Sequence, residues 1–100
     1  MSIELSSKIH QIEPGMLVHY CPGCKMMHPI YLESAEHPNR PKWTWNMDPR
    51  VPSFEPSVVV KARGICHYFI RRGEIQFLGD CDHHLKGQTV PLPDIPEDER

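Results

Sequence analysis

Long apolar runs are missing from this 100-residue sequence. No stretch approaches the roughly 20 consecutive apolar residues of a membrane-spanning helix. The first ten residues, MSIELSSKIH, also lack the basic and apolar regions of a secretory signal. Positive charge is not in excess, because 11 Lys and Arg stand against 13 Asp and Glu, for a net charge of −2. We therefore expect a cytoplasmic protein without a membrane partner, and nucleic acid is not the expected ligand.

Several motifs of nucleotide-binding proteins and hydrolases are also absent. The sequence contains no G-x-x-x-x-G-K-[ST], no G-x-G-x-x-G and no G-x-S-x-G pattern. Nucleotide binding, dinucleotide binding and serine-hydrolase chemistry therefore have no support from motifs of this kind. The remaining candidate chemistry lies with the 4 cysteines and 7 histidines.

Segments of helix length are scarce, because 11 prolines spread from Pro14 to Pro96 interrupt the chain. The apolar runs between them are short and rich in β-branched or aromatic residues, which favours strands. They cover residues 16–20, 30–32, 43–47, 58–60, 66–70 and 75–78. We predict one mainly β domain over residues 1–94, with antiparallel hairpins and little helix. An acidic, flexible tail is predicted over residues 95–100.

The segment CHYFIRRGEIQFL predicts a β-hairpin with its turn at Arg72 and Gly73. In this register Ile70 lies opposite Ile75 and Tyr68 lies opposite Phe77. The buried face is predicted to carry Cys66, Tyr68, Ile70, Ile75 and Phe77. The same register places Cys66 opposite Gly79 and therefore near Cys81.

A metal site is predicted from Cys21-Pro22-Gly23-Cys24, which lies between two short apolar runs, as in a zinc-ribbon knuckle. A tetrahedral Zn²⁺ needs two further ligands, and the hairpin geometry favours Cys66 and Cys81. The alternatives are Cys₃His sites that use His28, His67 or His83. A redox-active C-x-x-C pair is the other use of the motif, and two disulfides would replace the metal if the protein were exported.

Two further groups of residues are open to more than one interpretation. His67 and Asp80 share a hairpin face and His83 follows closely, so an open zinc site with hydrolytic chemistry can be built from them. With 7 histidines in the chain, such proximity also arises by chance. Trp43 and Trp45 point to one face of a strand, either as core residues or as anchors for a partner protein.

A longer pattern connects these residues. It consists of CPGC at residues 21–24 with His28, WTWN at 43–46, PSVVV at 56–60, CHYFIRRGEIQFLGDC at 66–81, then His83, Leu85, Gly87 and VPLPD at 90–94. Over residues 16–94 the chain resembles a family of small phage and prophage proteins that often carry the label "ammonia monooxygenase". The resemblance implies a zinc-binding accessory protein of the infected bacterial cytoplasm. The label itself does not fit, since that enzyme class is a copper-containing membrane assembly.

Two functions follow as hypotheses. The first is a zinc-stabilised module that binds a host or phage protein and modulates host defence or metabolism. The second is a small metal-dependent hydrolase with an open zinc position beside His67, Asp80 and His83. The number of protein ligands on the metal separates the two. The identity of the partner is not encoded in any motif, and a homodimer stays open.

Overall fold

The computed structural model describes residues 2–62 and 64–99, which form two antiparallel β-sheets around a shared core. The predicted domain starts at Met1 and the predicted tail ends at Arg100, and both of these residues lie outside the described part. Mainly β structure is confirmed. Within the described residues there are nine strands, more than the predicted runs, and one 3₁₀ helix at Glu97–Glu99.

The first sheet is a meander of four strands in chain order. Its strands are β1 (Ile3–Glu4), β2 (His10–Glu13), β3 (Met16–Cys21) and β4 (Met26–Tyr31). The β3–β4 hairpin places Cys21 opposite Met26, so the CPGC motif forms the loop that closes it. Lys25 ends this loop with a positive φ of 57°. The predicted knuckle between two strands is therefore present.

The second sheet has five strands, also in chain order. They are β5 (Thr44–Trp45), β6 (Phe54–Lys61), β7 (Ile65–Arg71), β8 (Glu74–Phe77) and β9 (Thr89–Pro91). The predicted hairpin register is confirmed, because Ile70 pairs with Ile75 and Tyr68 with Phe77. The strand pairing ends at Phe77, so the predicted contact of Cys66 with Gly79 is not part of the ladder.

A β-bulge interrupts β6. Phe54 pairs with Ile70 and Val58 pairs with Tyr68, so β6 advances four residues while β7 advances two. The extra residues include Pro56, which follows a cis peptide bond with Glu55 and has no amide proton for the ladder. Bulges of this kind redirect the neighbouring side chain and are common next to active sites. Ser57 is the last residue of the irregular stretch, directly before pairing resumes at Val58.

The core between the sheets contains a polar group. The Tyr68 hydroxyl lies 2.7 Å from His19 Nε2 and 3.1 Å from His28 Nδ1, and all three side chains are buried. Burial lowers the pKa of His19 to about 3 and that of His28 to about 4. Both imidazoles are therefore neutral at physiological pH. His28, one of the alternative metal ligands, is used here to join β4 to β7.

The C-terminal segment contacts the body of the domain through residues 92–95. Ile95, the first residue of the predicted tail, is fully buried, and its amide donates a 2.8 Å hydrogen bond to the Ser7 carbonyl. The apolar side chains of Leu92 and Ile95 hold this segment against the body of the domain. In the described part of the chain, no helix has the length and apolar character required to cross a membrane.

Candidate metal centre and catalytic triad

Three thiols and one imidazole converge where the knuckle meets the second sheet. The ligating atoms of Cys21, Cys24, Cys66 and His83 all lie within 4.8 Å of one another. Cys21 Sγ is 3.8 Å from Cys66 Sγ, and Cys66 Sγ is 3.4 Å from His83 Nε2. A tetrahedral ion with Zn–S bonds of about 2.3 Å would separate two sulfurs by about 3.8 Å. The four atoms are thus close enough to hold one metal ion, and their spacing is compatible with zinc.

The knuckle supplies its half of the cluster through a tight loop. The Cys24 amide donates a 3.3 Å hydrogen bond to Cys21 Sγ, and the Lys25 amide donates a 2.8 Å bond to the Cys21 carbonyl. A Cβ on Gly23 would lie less than 3.0 Å from three atoms of the His83 ring. Glycine is therefore required at position 23 because the imidazole packs directly against its backbone.

The other half comes from β7 and from the turn after β8. Cys66 lies on the buried face of β7, as predicted. His83 packs edge-on against the Phe77 ring at 4.5 Å, and its Nδ1 accepts a hydrogen bond from the Leu85 amide. In this ring orientation Nε2 faces the sulfurs and lies 3.4 Å from Cys66 Sγ. Next to it, the Asp82 carboxylate accepts a 2.7 Å bond from the Ile65 amide and fastens the turn to β7.

Cys81 is where the structure differs from the predicted Cys₄ set. Its Sγ accepts a 3.2 Å hydrogen bond from the His67 amide and donates a 3.1 Å bond to the His67 carbonyl. The reason is the turn after Phe77, which brings the Cys81 amide back to the Leu78 carbonyl and directs the sulfur to the edge of β7. His83, one of the alternative ligands, takes the fourth place in the cluster.

The donor set favours a bound cation. All four cysteines are free thiols, so the predicted disulfide alternative is not formed in this structure. A hydrogen bond from Cys66 lowers the pKa of Cys21 to about 6, whereas the same contact and burial raise the pKa of Cys66. Burial also raises the pKa of Cys24 and lowers that of His83. As thiolates the three groups would repel one another at such short range, and a bound cation would stabilise them.

The ligand assignment predicts different metal contents for two variants. Replacing His83 with Ala removes a ligand, so zinc binding should weaken by at least about 10-fold. Replacing Cys81 with Ala removes only contacts to the main chain of His67, so one zinc per chain should be retained. Elemental analysis with native mass spectrometry measures both. Loss of zinc from Cys81→Ala with retention in His83→Ala would restore the Cys₄ site.

A second constellation lies on the outer face of the second sheet. His67 Nε2 is 3.0 Å from Ser57 Oγ, and His67 Nδ1 lies 3.0 and 3.2 Å from the two carboxylate oxygens of Asp80. The His67 side chain is 24% exposed and that of Asp80 is 57% exposed, so the group is open to solvent. A hydroxyl, an imidazole and a carboxylate in this order form a Ser-His-Asp triad.

The fold positions each member of the triad. Val59 pairs with His67, so Ser57, two residues earlier, lies on the same face and diagonally adjacent. The Trp43 indole N–H donates a 3.2 Å hydrogen bond to the Ser57 carbonyl and fixes the main chain of the serine at the end of the bulge. Asp80 sits in the turn after β8, while Cys81 holds the main chain of His67.

This arrangement changes the interpretation of the residues proposed for an open zinc site. His67 and Asp80 contact each other, as predicted, but the other nitrogen of His67 faces Ser57 instead of a metal ligand. His83 belongs to the thiol cluster.

The two tryptophans considered as anchors for a partner lie in packed positions. Trp43 is only 9% exposed and Trp45 stacks on Phe54, so both contribute to packing.

Ser57 was not predicted as a nucleophile because the serine-hydrolase motif G-x-S-x-G belongs to a different fold. G-x-S-x-G describes one strand-to-helix turn, whereas triads on β scaffolds are recognised by geometry alone. The available signal was a serine in front of the apolar run VVV, 10 positions before His67. This signal can be interpreted only when the pairing register of β6 with β7 is known, and no local sequence motif specifies that register.

The comparison with protein families agrees with this constellation. The family described as "Bacterial ubiquitination-like system serine protease (BubE)" matches residues 2–78. The chain belongs to this family. The BubE match includes Ser57 and His67, as well as three of the four cluster residues, and it ends just before Asp80. It gives no support to the ammonia monooxygenase label. Searches of curated proteins and of solved structures gave no significant match.

Proposed function

We propose that the protein is a serine peptidase whose nucleophile is Ser57. The observation that carries this proposal is the unbroken chain of contacts from Ser57 Oγ through the His67 ring to Asp80, at 3.0 Å on each side. Neutral serine is a weak nucleophile and needs an adjacent base that a third group orients. The family name supports the same chemistry independently of the geometry.

Each residue of the triad has a definite role in peptide hydrolysis. His67 Nε2 accepts the Ser57 hydroxyl proton as the oxygen attacks the carbonyl carbon, and the protonated imidazole then transfers that proton to the departing amine. Asp80 accepts the Nδ1–H hydrogen bond, which selects the required tautomer and stabilises the imidazolium. Water repeats the sequence on the acyl-enzyme, with His67 as base, and releases Ser57.

We propose that zinc, held by Cys21, Cys24, Cys66 and His83, is structural. The four protein ligands fill a tetrahedral ion and leave no position for substrate or water. What the ion would supply is a link between the knuckle, β7 and the turn after β8. That link matters for catalysis because Cys66 precedes His67 directly, and Asp80 and His83 belong to the same turn.

The predicted protein-binding role takes a specific form in this proposal, since a peptidase must bind a protein substrate. By its name, the family is a serine protease of a bacterial ubiquitination-like system. The triad lies on an exposed sheet face, which a protein chain can reach without a deep pocket. The open zinc site of the second hypothesis is not needed, because His67 and Asp80 are accounted for by Ser57.

Covalent capture tests the nucleophile. A fluorophosphonate phosphonylates serine hydroxyls that a general base activates, with loss of fluoride, and it leaves ordinary serines unmodified. We expect one adduct per chain, mapped to Ser57 by peptide mass spectrometry, and none in Ser57→Ala. Ser53→Ala is the matched control, because Ser53 lies four positions away and its hydroxyl only accepts a bond from the Arg72 amide. An unmodified wild-type protein would reject the proposal.

A further inference from the structure

The main chain of β6 has a free edge beside the nucleophile. β5 covers that edge only at Phe54 and Glu55, whereas β7 pairs on the other side with residues as far as Lys61. Within residues 2–62 and 64–99, no other strand of the sheet lies next to the segment that follows Pro56. Edges of this kind present rows of unpaired amide and carbonyl groups that can accept another chain.

Two observations identify the residue whose main-chain amide and carbonyl point toward this free edge. The His67 amide and carbonyl both point toward the β8 side, where they contact Cys81 Sγ and the Leu78 amide. Its partner Val59 must therefore point its own amide and carbonyl away from β7. The Ser57 carbonyl confirms this alternation, since it faces the same free edge and accepts the Trp43 indole N–H.

An open cleft runs along this edge. One wall is formed by residues 58–61 of β6, and the other by Pro29, Tyr31, Arg40, Pro41 and Trp43. Val59 is 47% exposed, so about half of its surface is accessible to a ligand. The cleft therefore follows the main chain of β6 onward from Ser57, and it is open where the groups of Val59 are directed.

We propose that the substrate binds as an extended strand along the free edge of β6, paired with the amide and carbonyl of Val59. This inference rests on the proposed peptidase activity and names the conformation of its substrate. Main-chain pairing places an extended segment at fixed distance from the strand, so the carbonyl to be attacked is presented beside Ser57. The occupant is an extended segment of a protein, such as a tail or loop, and not a helix.

The substrate must be extended because of the main-chain hydrogen-bonding groups that Val59 offers. Val59 offers one donor and one acceptor in the plane of the sheet, and only a chain in β conformation can use both at once. Because such bonds do not read side chains, we expect broad sequence tolerance at the paired position. Selectivity would come from the side-chain contacts in the cleft, including those with Arg40 and Tyr31.

The test removes the Val59 amide proton and leaves the ladder with β7 intact. Val59→Pro lacks the donor, and proline is tolerated on the open side of an edge strand. Val59→Thr is the matched control, because it keeps the amide and the branched side chain. A quenched-fluorescent decapeptide library with randomised positions is the cleavage probe, and fluorophosphonate labelling of Ser57 is measured on the same samples. A further variant replaces the 58–59 peptide bond with an ester, prepared by chemical synthesis with ligation at Cys66.

We expect Val59→Pro to lose about 10-fold or more in kcat/KM on the library while it labels at the wild-type rate. Val59→Thr, which keeps the amide proton, should cleave the library faster than Val59→Pro. Should Val59→Pro fail to fold, the ester variant decides the matter, with an expected loss of about threefold to 10-fold. Equal cleavage by the wild type and the ester variant, or a labelled wild type that cleaves no library peptide, overturns the inference. Absence of labelling in the wild type rejects the peptidase itself.

Discussion

Replacing Ser57 or His67 with Ala should lower kcat/KM for peptide cleavage by about 10⁴-fold to 10⁶-fold, the effect of losing the nucleophile or base of a triad. Asp80→Asn should cost about 10⁴-fold, because the amide stabilises the wrong tautomer of His67. The double variant Ser57→Ala/His67→Ala should be no slower than either single variant, since the two residues act as a unit. Steady-state cleavage of the fluorogenic peptide library measures these losses.

The control for this series is His37→Ala. His37 pairs with Glu13 on the other sheet and does not contact the triad, so activity should stay within about twofold of the wild type. All variants should melt close to the wild type, because His67 and Asp80 are partly exposed and Ser57 is not in the core. Activity in Ser57→Ala within 10-fold of the wild type would mean that hydrolysis uses another nucleophile.

The structural features that depend on residues close together in the sequence could be predicted from it. The β7–β8 hairpin follows from alternating apolar residues around a turn with Gly73, so its register and buried face could be assigned correctly. The knuckle could be assigned because CPGC is a local motif with a fixed geometry. Three cluster residues, Cys21, Cys24 and Cys66, were identified on these grounds.

The features that were not predicted depend on pairing between residues that are far apart in the sequence. Whether Cys81 or His83 reaches the cluster depends on where the β7–β8 ladder ends, and the turn after Phe77 ends it before Gly79. The Ser57 contact depends on the β6–β7 register and on a bulge at Pro56, neither of which has a periodic signal. β1, β2 and β9 were missed for a similar reason, since IE, HQIE and TVP lack the apolar alternation of a strand.

Removal of zinc should unfold the domain. A structural site with three thiolates contributes on the order of 10 kcal/mol to folding, which is comparable with the roughly 5–15 kcal/mol of total stability expected for a domain. Excess chelator, or Cys21→Ser, should therefore abolish the cooperative thermal transition and the native β-sheet circular dichroism spectrum. Added zinc should restore both for the wild type. Lys25→Ala is the matched control, because the cluster uses no side-chain atom of Lys25.

Peptidase activity should disappear together with the metal, although none of the four cluster residues belongs to the triad. The reason is the adjacency of Cys66 to His67, and the position of Asp80 and His83 in one turn. Exchange of zinc for cadmium separates this role from a catalytic one, since both ions accept four tetrahedral thiolate and imidazole ligands. A structural site predicts that the cadmium form folds, labels at Ser57 and cleaves peptides at a rate within a few-fold of the zinc form. A folded cadmium protein that labels at Ser57 but has lost cleavage would show that the metal takes part in the reaction, and a stable, active metal-free chain would show that the cluster is not needed for the fold.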